Sequence, residues 1–199
     1  MKRGFLNKLL RLNKTVFSFK DLMLLWGGID AKTARSRISY YVKNGQLYHL
    51  RRGIYAIDKD YDRFEMAVKI LKPSYISFET VLLKEGINFQ YYERIFLASY
   101  KSTEIKCDSQ VYEFKAFKRS LLDNNAGIEN KGNYSIASPE RAILDVLYLF
   151  GDFHFDNLNS IKWEKVYELL PIYGTGKRAK RVVERINVFH DAVMNDTYH

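Results

Sequence analysis

Cysteine is nearly absent from this sequence of 199 residues: Cys107 stands alone, so no internal disulfide and no cysteine-based metal cluster can form. Missing too is any run near the roughly 20 uninterrupted apolar residues that a membrane-spanning helix needs. The opening Met1-Lys2-Arg3-Gly4-Phe5 has the charge of a signal peptide's first region. The leucines that follow, Leu6, Leu9 and Leu10, are broken up by Asn7, Lys8 and Arg11, which leaves no apolar segment and no cleavage signature. These absences predict a cytoplasmic protein with no membrane partner. Catalytic signatures are lacking as well. His49, His154, His190 and His199 are scattered, with no HxH or HExxH spacing. There is no P-loop, no GxGxxG and no GxSxG, and no Gly-Ser followed by an Asp-x-Asp pair that could hold two magnesium ions. No cofactor, no metal and no enzymatic activity are expected.

Acidic residues are scarce in one segment only. Residues 1–57 hold twelve Lys and Arg against two acids, Asp21 and Asp30, a formal net of +10. The whole chain carries +9, so the remainder is close to neutral at −1. A positive excess confined to one segment points to a polyanionic partner more strongly than the same excess spread evenly. The composition, 47% hydrophobic and 28% charged, suits a globular chain of one or two domains.

Apolar spacing divides the basic segment into elements. Phe5, Leu6, Leu9 and Leu10 mark one face of a helix over 2–12. Ser18 is a good N-cap for a second helix that buries Phe19, Leu22, Leu25 and Trp26. Gly27-Gly28 stops it and supplies a tight turn. Asp30 caps a third helix that runs to about Lys43 and ends at Asn44-Gly45. Residues 47–50 and 54–57 read as strands joined through Arg51-Arg52-Gly53, where Gly53 can take positive φ. Three helices followed by a hairpin predict a winged helix-turn-helix over 1–60.

An α+β domain is expected over 61–199. It starts with a helix over 62–71 ended by Pro73 and a second helix capped by Ser77 and closed by Gly86. Strands follow over 94–100, 103–106 and 110–117, with a turn at Cys107-Asp108-Ser109 and a further strand over 134–137. Ser138-Pro139-Glu140 starts a helix that reaches about Phe150, with helices over 163–170 and 176–194 after it.

The third helix carries the candidate site. Ala34, Ile38, Tyr41 and Val42 are its core anchors, and at 100° per residue the opposite face holds Lys32, Thr33, Ser36, Tyr40 and Lys43, flanked by Arg37. Such a helix fits the major groove of double-stranded DNA. There Thr33, Ser36 and Arg37 are expected to contact bases, while Lys32, Tyr40 and Lys43 hold phosphates. The hairpin tip, Arg51-Arg52, suits the adjacent minor groove or its phosphates. A late cluster, Lys177, Arg178, Lys180, Arg181 and Arg185, forms a second basic surface. It reads first as a solvated face, with a further phosphate contact or a docking surface for an acidic partner as the alternatives. Arg141 and Asp145, four apart, read as an ordinary intrahelical ion pair worth a few tenths of a kcal/mol. Glu113-Phe114-Lys115 leaves an alternative open. A Glu-x-Lys on a strand, with an Asp such as Asp108 before it, holds Mg²⁺ in metal-dependent nucleases, but alternating Glu and Lys is also what a solvated strand face looks like.

Three motifs taken together resemble the AbiEi-type antitoxins, the abortive-infection type IV antitoxin family. They are Leu50-Arg51-Arg52-Gly53-Ile54-Tyr55, Pro73-Ser74-Tyr75-Ile76-Ser77-Phe78-Glu79-Thr80-Val81-Leu82 and Ala137-Ser138-Pro139-Glu140-Arg141-Ala142-Ile143-Leu144-Asp145. The resemblance runs in order to about Phe150, and the tail beyond carries no matching motif. It implies a DNA-binding antitoxin that represses its own operon through promoter inverted repeats. It also implies a second domain that counteracts a nucleotidyltransferase-like toxin without needing a stable complex with it. A winged-helix transcriptional regulator with no toxin shares the same DNA chemistry and is the neighbouring reading.

Overall fold

A computed structural model of the chain describes residues 4–196. Lys2 and Arg3, which enter the N-terminal charge count and the expected first helix, and His199 lie outside the described residues. The fold is mixed α+β, with nine α-helices and two sheets among the described residues. The chain divides into two compact units, one formed by 1–71 with 106–110 and the other by 72–105 with 111–199.

The first unit begins with α1 (Gly4–Leu10), β1 (Val16–Ser18), α2 (Phe19–Trp26) and α3 (Ala31–Lys43), and continues with β2 (Tyr48–Arg51), β3 (Ile54–Ala56) and α4 (Arg63–Ile70). The starts of α2, α3 and α4 all follow from side-chain caps, that of α4 through Asp62, which accepts from the Phe64 and Glu65 N–H groups. Ser18 accepts from the Asp21 N–H while the Asp21 carboxylate accepts from the Ser18 N–H, a reciprocal capping box that fixes the entry to α2. Burial opposes the charge on Asp21, but Lys69 and the Ser18 backbone donate to it and hold its carboxyl down at about 2. Asp30 caps α3 by accepting from the Thr33 N–H. The core beneath gathers Leu9, Phe17, Leu22, Trp26, Ala34, Ile38, Tyr41 and Leu47, with Val42 half-buried at its edge. Gly53 takes φ of 73° in the hairpin turn, and its carbonyl accepts from the Phe19 N–H at 2.8 Å, which ties the turn to the start of α2. Strand β1, which the sequence reading leaves as a connection, pairs antiparallel with β3, so the small sheet has the order β1-β3-β2. Three residues are too few to show a period, and β1 exists because β3 offers it a partner. The Glu65 carboxylate in α4 accepts from the N–H groups of Thr15 and Val16 and closes the free end of that strand.

The second unit contains β4 (Ser74–Ile76), α5 (Glu79–Lys84), β5 (Arg94–Ser99) and all but the turn-proximal ends, 106–107 and 110, of β6 (Thr103–Cys107) and β7 (Gln110–Ala116). After a short α6 (Arg119–Leu122) come β8 (Ile128–Asn130), β9 (Ser135–Ala137), α7 (Pro139–Phe150), α8 (Trp163–Leu169), a 3-10 turn (Leu170–Tyr173) and α9 (Lys177–Asp196). The sheet order is β6-β7-β5-β4-β9-β8, with β5 parallel to β7 and β4 parallel to β9. Asp108 and Ser109 both take positive φ, the geometry of a tight two-residue hairpin turn, as their place between strands predicts. Buried from Glu140 to Tyr148, α7 is covered by α5, α8 and α9.

Arg141 and Asp145 depart furthest from expectation. They are an i,i+4 pair, but both side chains are fully buried, so the few tenths of a kcal/mol expected of a surface pair do not apply. Asp145 accepts from Arg141 Nε at 3.1 Å and from the hydroxyls of Tyr173 (2.5 Å), Ser77 (2.7 Å) and Tyr75 (3.0 Å). The other arm of Arg141 donates to Tyr75 and to the carbonyls of Ala126 and Leu121. Burial pushes both tyrosine hydroxyls well above their ordinary range, which keeps them protonated and donating. This network also corrects the expected cap of α5. Ser77 is occupied with Asp145, and the helix instead starts after Phe78, a non-glycine residue at φ 58° and ψ −143°.

Removing one partner of a buried, hydrogen-bonded pair leaves the other charge uncompensated, which costs about 3–5 kcal/mol. Asp145→Asn is therefore expected to lower the stability of the second unit by that amount. The measurement is urea denaturation followed by Trp163 fluorescence in a Trp26→Phe background. A loss below about 1 kcal/mol would mean the network is dispensable.

Candidate nucleic-acid interface

Six basic residues of the first unit lie on α3 and the hairpin: Lys32, Arg35, Arg37, Lys43, Arg51 and Arg52. With Ala34, Ile38 and Tyr41 turned to the core, the exposed stripe of α3 comprises Lys32, Arg35, Ser36, Ser39, Tyr40 and Lys43. Four of the six predicted residues, Lys32, Ser36, Tyr40 and Lys43, lie on it. The other two are engaged at its border. The Thr33 hydroxyl donates to Asp30 at 2.6 Å, and the bonds from Thr33 hold the Asp30 carboxyl below its ordinary range. Arg37 is half-buried with its guanidinium 4.0 Å from the Phe5 ring centre, and its Nη1 is buried without a hydrogen-bond partner among the described residues.

Two exposed residues of the stripe, Arg35 and Ser39, are absent from the sequence-based set. The 100° rule places Ser39 close to the middle of the exposed face, so the signal was present. Arg35 falls at the edge, and its guanidinium lies 5.4 Å from the Phe19 ring centre. The Ser36 hydroxyl donates to the Lys32 carbonyl, a local bond that leaves its lone pairs free to accept. Arg51 and Arg52 are exposed at the hairpin tip, as the turn chemistry of Gly53 requires. Between α2 and α3 lie four residues, Gly27 to Asp30, with Gly27 and Gly28 both at positive φ.

The late basic cluster opens α9. Lys177, Arg178, Lys180 and Arg181 are exposed, but part of the cluster serves its own unit. Arg185 pairs with Asp152 and lies over Phe189, Arg178 lies over Tyr148, and Arg181 packs on Gly151 so closely that a Cβ there would collide with it.

Glu113 and Lys115 are brought together, with Lys115 Nζ 2.8 Å from one Glu113 oxygen and Arg94 2.6 Å from the other. Lys115 is also flanked by the rings of Phe96 and Phe150. Asp108 is engaged elsewhere, paired with Arg63 and accepting from Tyr61. No group of three His, Cys, Asp or Glu side chains able to hold a metal forms among the described residues. A second carboxyl, Glu79, is buried near Lys115 and Glu113 with one oxygen unpartnered. No protein-family model matches the chain, and no curated protein sequence matches it.

Burial pushes the Glu79 carboxyl up, with Glu113 acting in the same direction and Lys115 opposing. A raised carboxyl stabilises the fold below its ordinary pKa, and that contribution is lost as pH rises through the shifted value. Glu79→Gln, which keeps the shape and removes the charge, is expected to raise the thermal midpoint at neutral pH by a few degrees and to flatten its decline above about pH 4. Melting curves across that range check this, and a less stable Gln variant at neutral pH would contradict it.

Proposed function

We propose that the first unit is a winged helix-turn-helix that binds double-stranded DNA, with α3 as the recognition helix and the Arg51-Arg52 hairpin as the wing. The observation that carries this reading is the acid-free, basic stripe of α3 standing beside an arginine-tipped hairpin. The helix-turn-helix order supports it, since α2 and α3 are joined by a short turn containing glycine. A helix about 10–12 Å across matches the major groove, and serines and lysines on its exposed face supply donors and acceptors for base edges and phosphates.

The purpose we assign is autorepression by an antitoxin of the AbiEi type, acting in the cytoplasm on promoter inverted repeats. Its functional partner is a nucleotidyltransferase-like toxin. Support for this part comes from the succession of the three motifs quoted above, of which the third contains the Arg141–Asp145 pair at the centre of the second unit. Among the described residues no helix is long and apolar enough to cross a membrane.

Binding to the DNA upstream of the gene is expected to fall steeply with salt, with a log–log slope of about −4 to −5 for roughly five neutralised phosphates. Arg51→Ala/Arg52→Ala should weaken binding equally on that DNA and on a scrambled duplex and should reduce the slope by about 2. Fluorescence anisotropy titrations across salt measure both, and binding independent of salt refutes the reading. For the antitoxin role, the neighbouring reading frame is expressed alone and together with this protein. Toxicity that this protein does not relieve removes that role and leaves a regulator.

A further inference from the structure

Arg35 and Arg37 stand two residues apart, so their side chains leave α3 about 200° apart around its axis. They occupy opposite borders of the exposed stripe, and each lies over an aromatic ring supplied by a different helix. Arg37 is seated on Phe5 of α1 at 4.0 Å and Arg35 on Phe19 of α2 at 5.4 Å. Both seats are themselves fixed. Phe5 packs edge-on against the core residue Trp26, and its carbonyl accepts from Trp26 Nε1 at 3.2 Å. Phe19 is bonded through its N–H to Gly53 of the hairpin turn.

Neither guanidinium has an acidic partner within the unit's basic segment. Asp21 is taken by Lys69 and the α2 cap, and Asp30 is taken by Thr33. Arg37 goes further, since its Nη1 is shut away from both solvent and acceptors. A guanidinium tolerates this better than an ammonium because it is weakly hydrated and stacks on aromatic faces. The stack leaves each fork oriented before any ligand arrives, so little side-chain freedom remains to be lost on binding.

Resting on the DNA-binding reading above, we propose that Arg35 and Arg37 are ring-seated phosphate clamps, one for each strand bordering the major groove, and that base reading falls to Ser36 and Ser39 between them. A helix that fills the groove brings its two borders, not its middle, against the two phosphate rows. Arg37 thereby changes role from the base contact that spacing alone assigns to it.

The test uses the full chain, a duplex from upstream of its gene and a scrambled duplex, titrated across salt. Arg35→Ala and Arg37→Ala should each weaken binding on both duplexes by a similar factor, about tenfold, and reduce the salt slope by about 1. Phe5→Leu should weaken binding several-fold with the slope nearly unchanged, because the charge remains and only its seat is lost; Phe5→Tyr should restore it. Trp26 fluorescence under denaturant confirms that each variant is folded, and a variant that is not is replaced by Arg37→Gln or Arg35→Gln. Ser36→Ala and Ser39→Ala should reduce affinity for the upstream duplex only. Losses confined to that duplex in Arg37→Ala or Arg35→Ala, or wild-type affinity in Phe5→Leu, would overturn the clamps while leaving DNA binding intact. If the parent protein binds neither duplex, the DNA-binding reading itself falls and takes the clamps with it.

Discussion

Asp145 is the point on which the second unit closes. Its carboxylate accepts four hydrogen bonds from α7, from the strand β4 and the residue after it, and from the 3-10 turn that follows α8. Through Arg141 the same network reaches the carbonyls of Leu121, in the last turn of α6, and of Ala126 in the loop after it. Isolated, either charge would be expelled from so dry a place, since burying an ion costs several kcal/mol. Together, and hydrogen-bonded on every side, they tie α7 to β4 and to the 3-10 turn after α8. Gly127 shows how tightly that centre is packed, because a Cβ there would stand 2.9 Å from the Arg141 Cβ.

Within the first unit, residues 1–57 are short of acid. Asp21 and Asp30 both serve helix starts, and Glu65 of α4 seals the edge of β1. Among the described residues, Lys32, Arg35 and Lys43 of α3 and Arg51 and Arg52 of the hairpin tip are exposed, with Asp21, Asp30 and Glu65 bonded elsewhere. A surface of that kind repels itself and is relieved by an external polyanion. Structure and charge therefore lead to the same face, the one on which the proposed function rests.

How much of this was legible in the sequence depends on the range of the interaction. Caps and turns were readable because they are local: Ser18, Asp30, Ser138, Gly53 and the Asp108-Ser109 turn all act within a few residues of themselves. Strands β1, β4 and β8, three residues each, were not, since their existence depends on partners far along the chain. Ser77 was misread as a cap because its real partner, Asp145, is 68 residues away. The stripe on α3 followed from the helical period, with Ser39 recoverable by stricter use of the same angle. The seating of Arg37 on Phe5 was beyond reach, because helical geometry gives the direction of a side chain and says nothing of the ring that intercepts it.

Phe78 stands at the turn between β4 and α5. Its left-handed backbone is a conformation that glycine adopts freely and that costs a large side chain on the order of 1–3 kcal/mol. The ring makes this tolerable by packing edge-on against Phe117, which in turn meets Tyr148 of α7. A glycine at 78 would relax the backbone and lose the ring. The turn that separates Ser77 from Glu79 thus sets a backbone preference for glycine against a ring that ties it to Phe117 and, through Phe117, to α7.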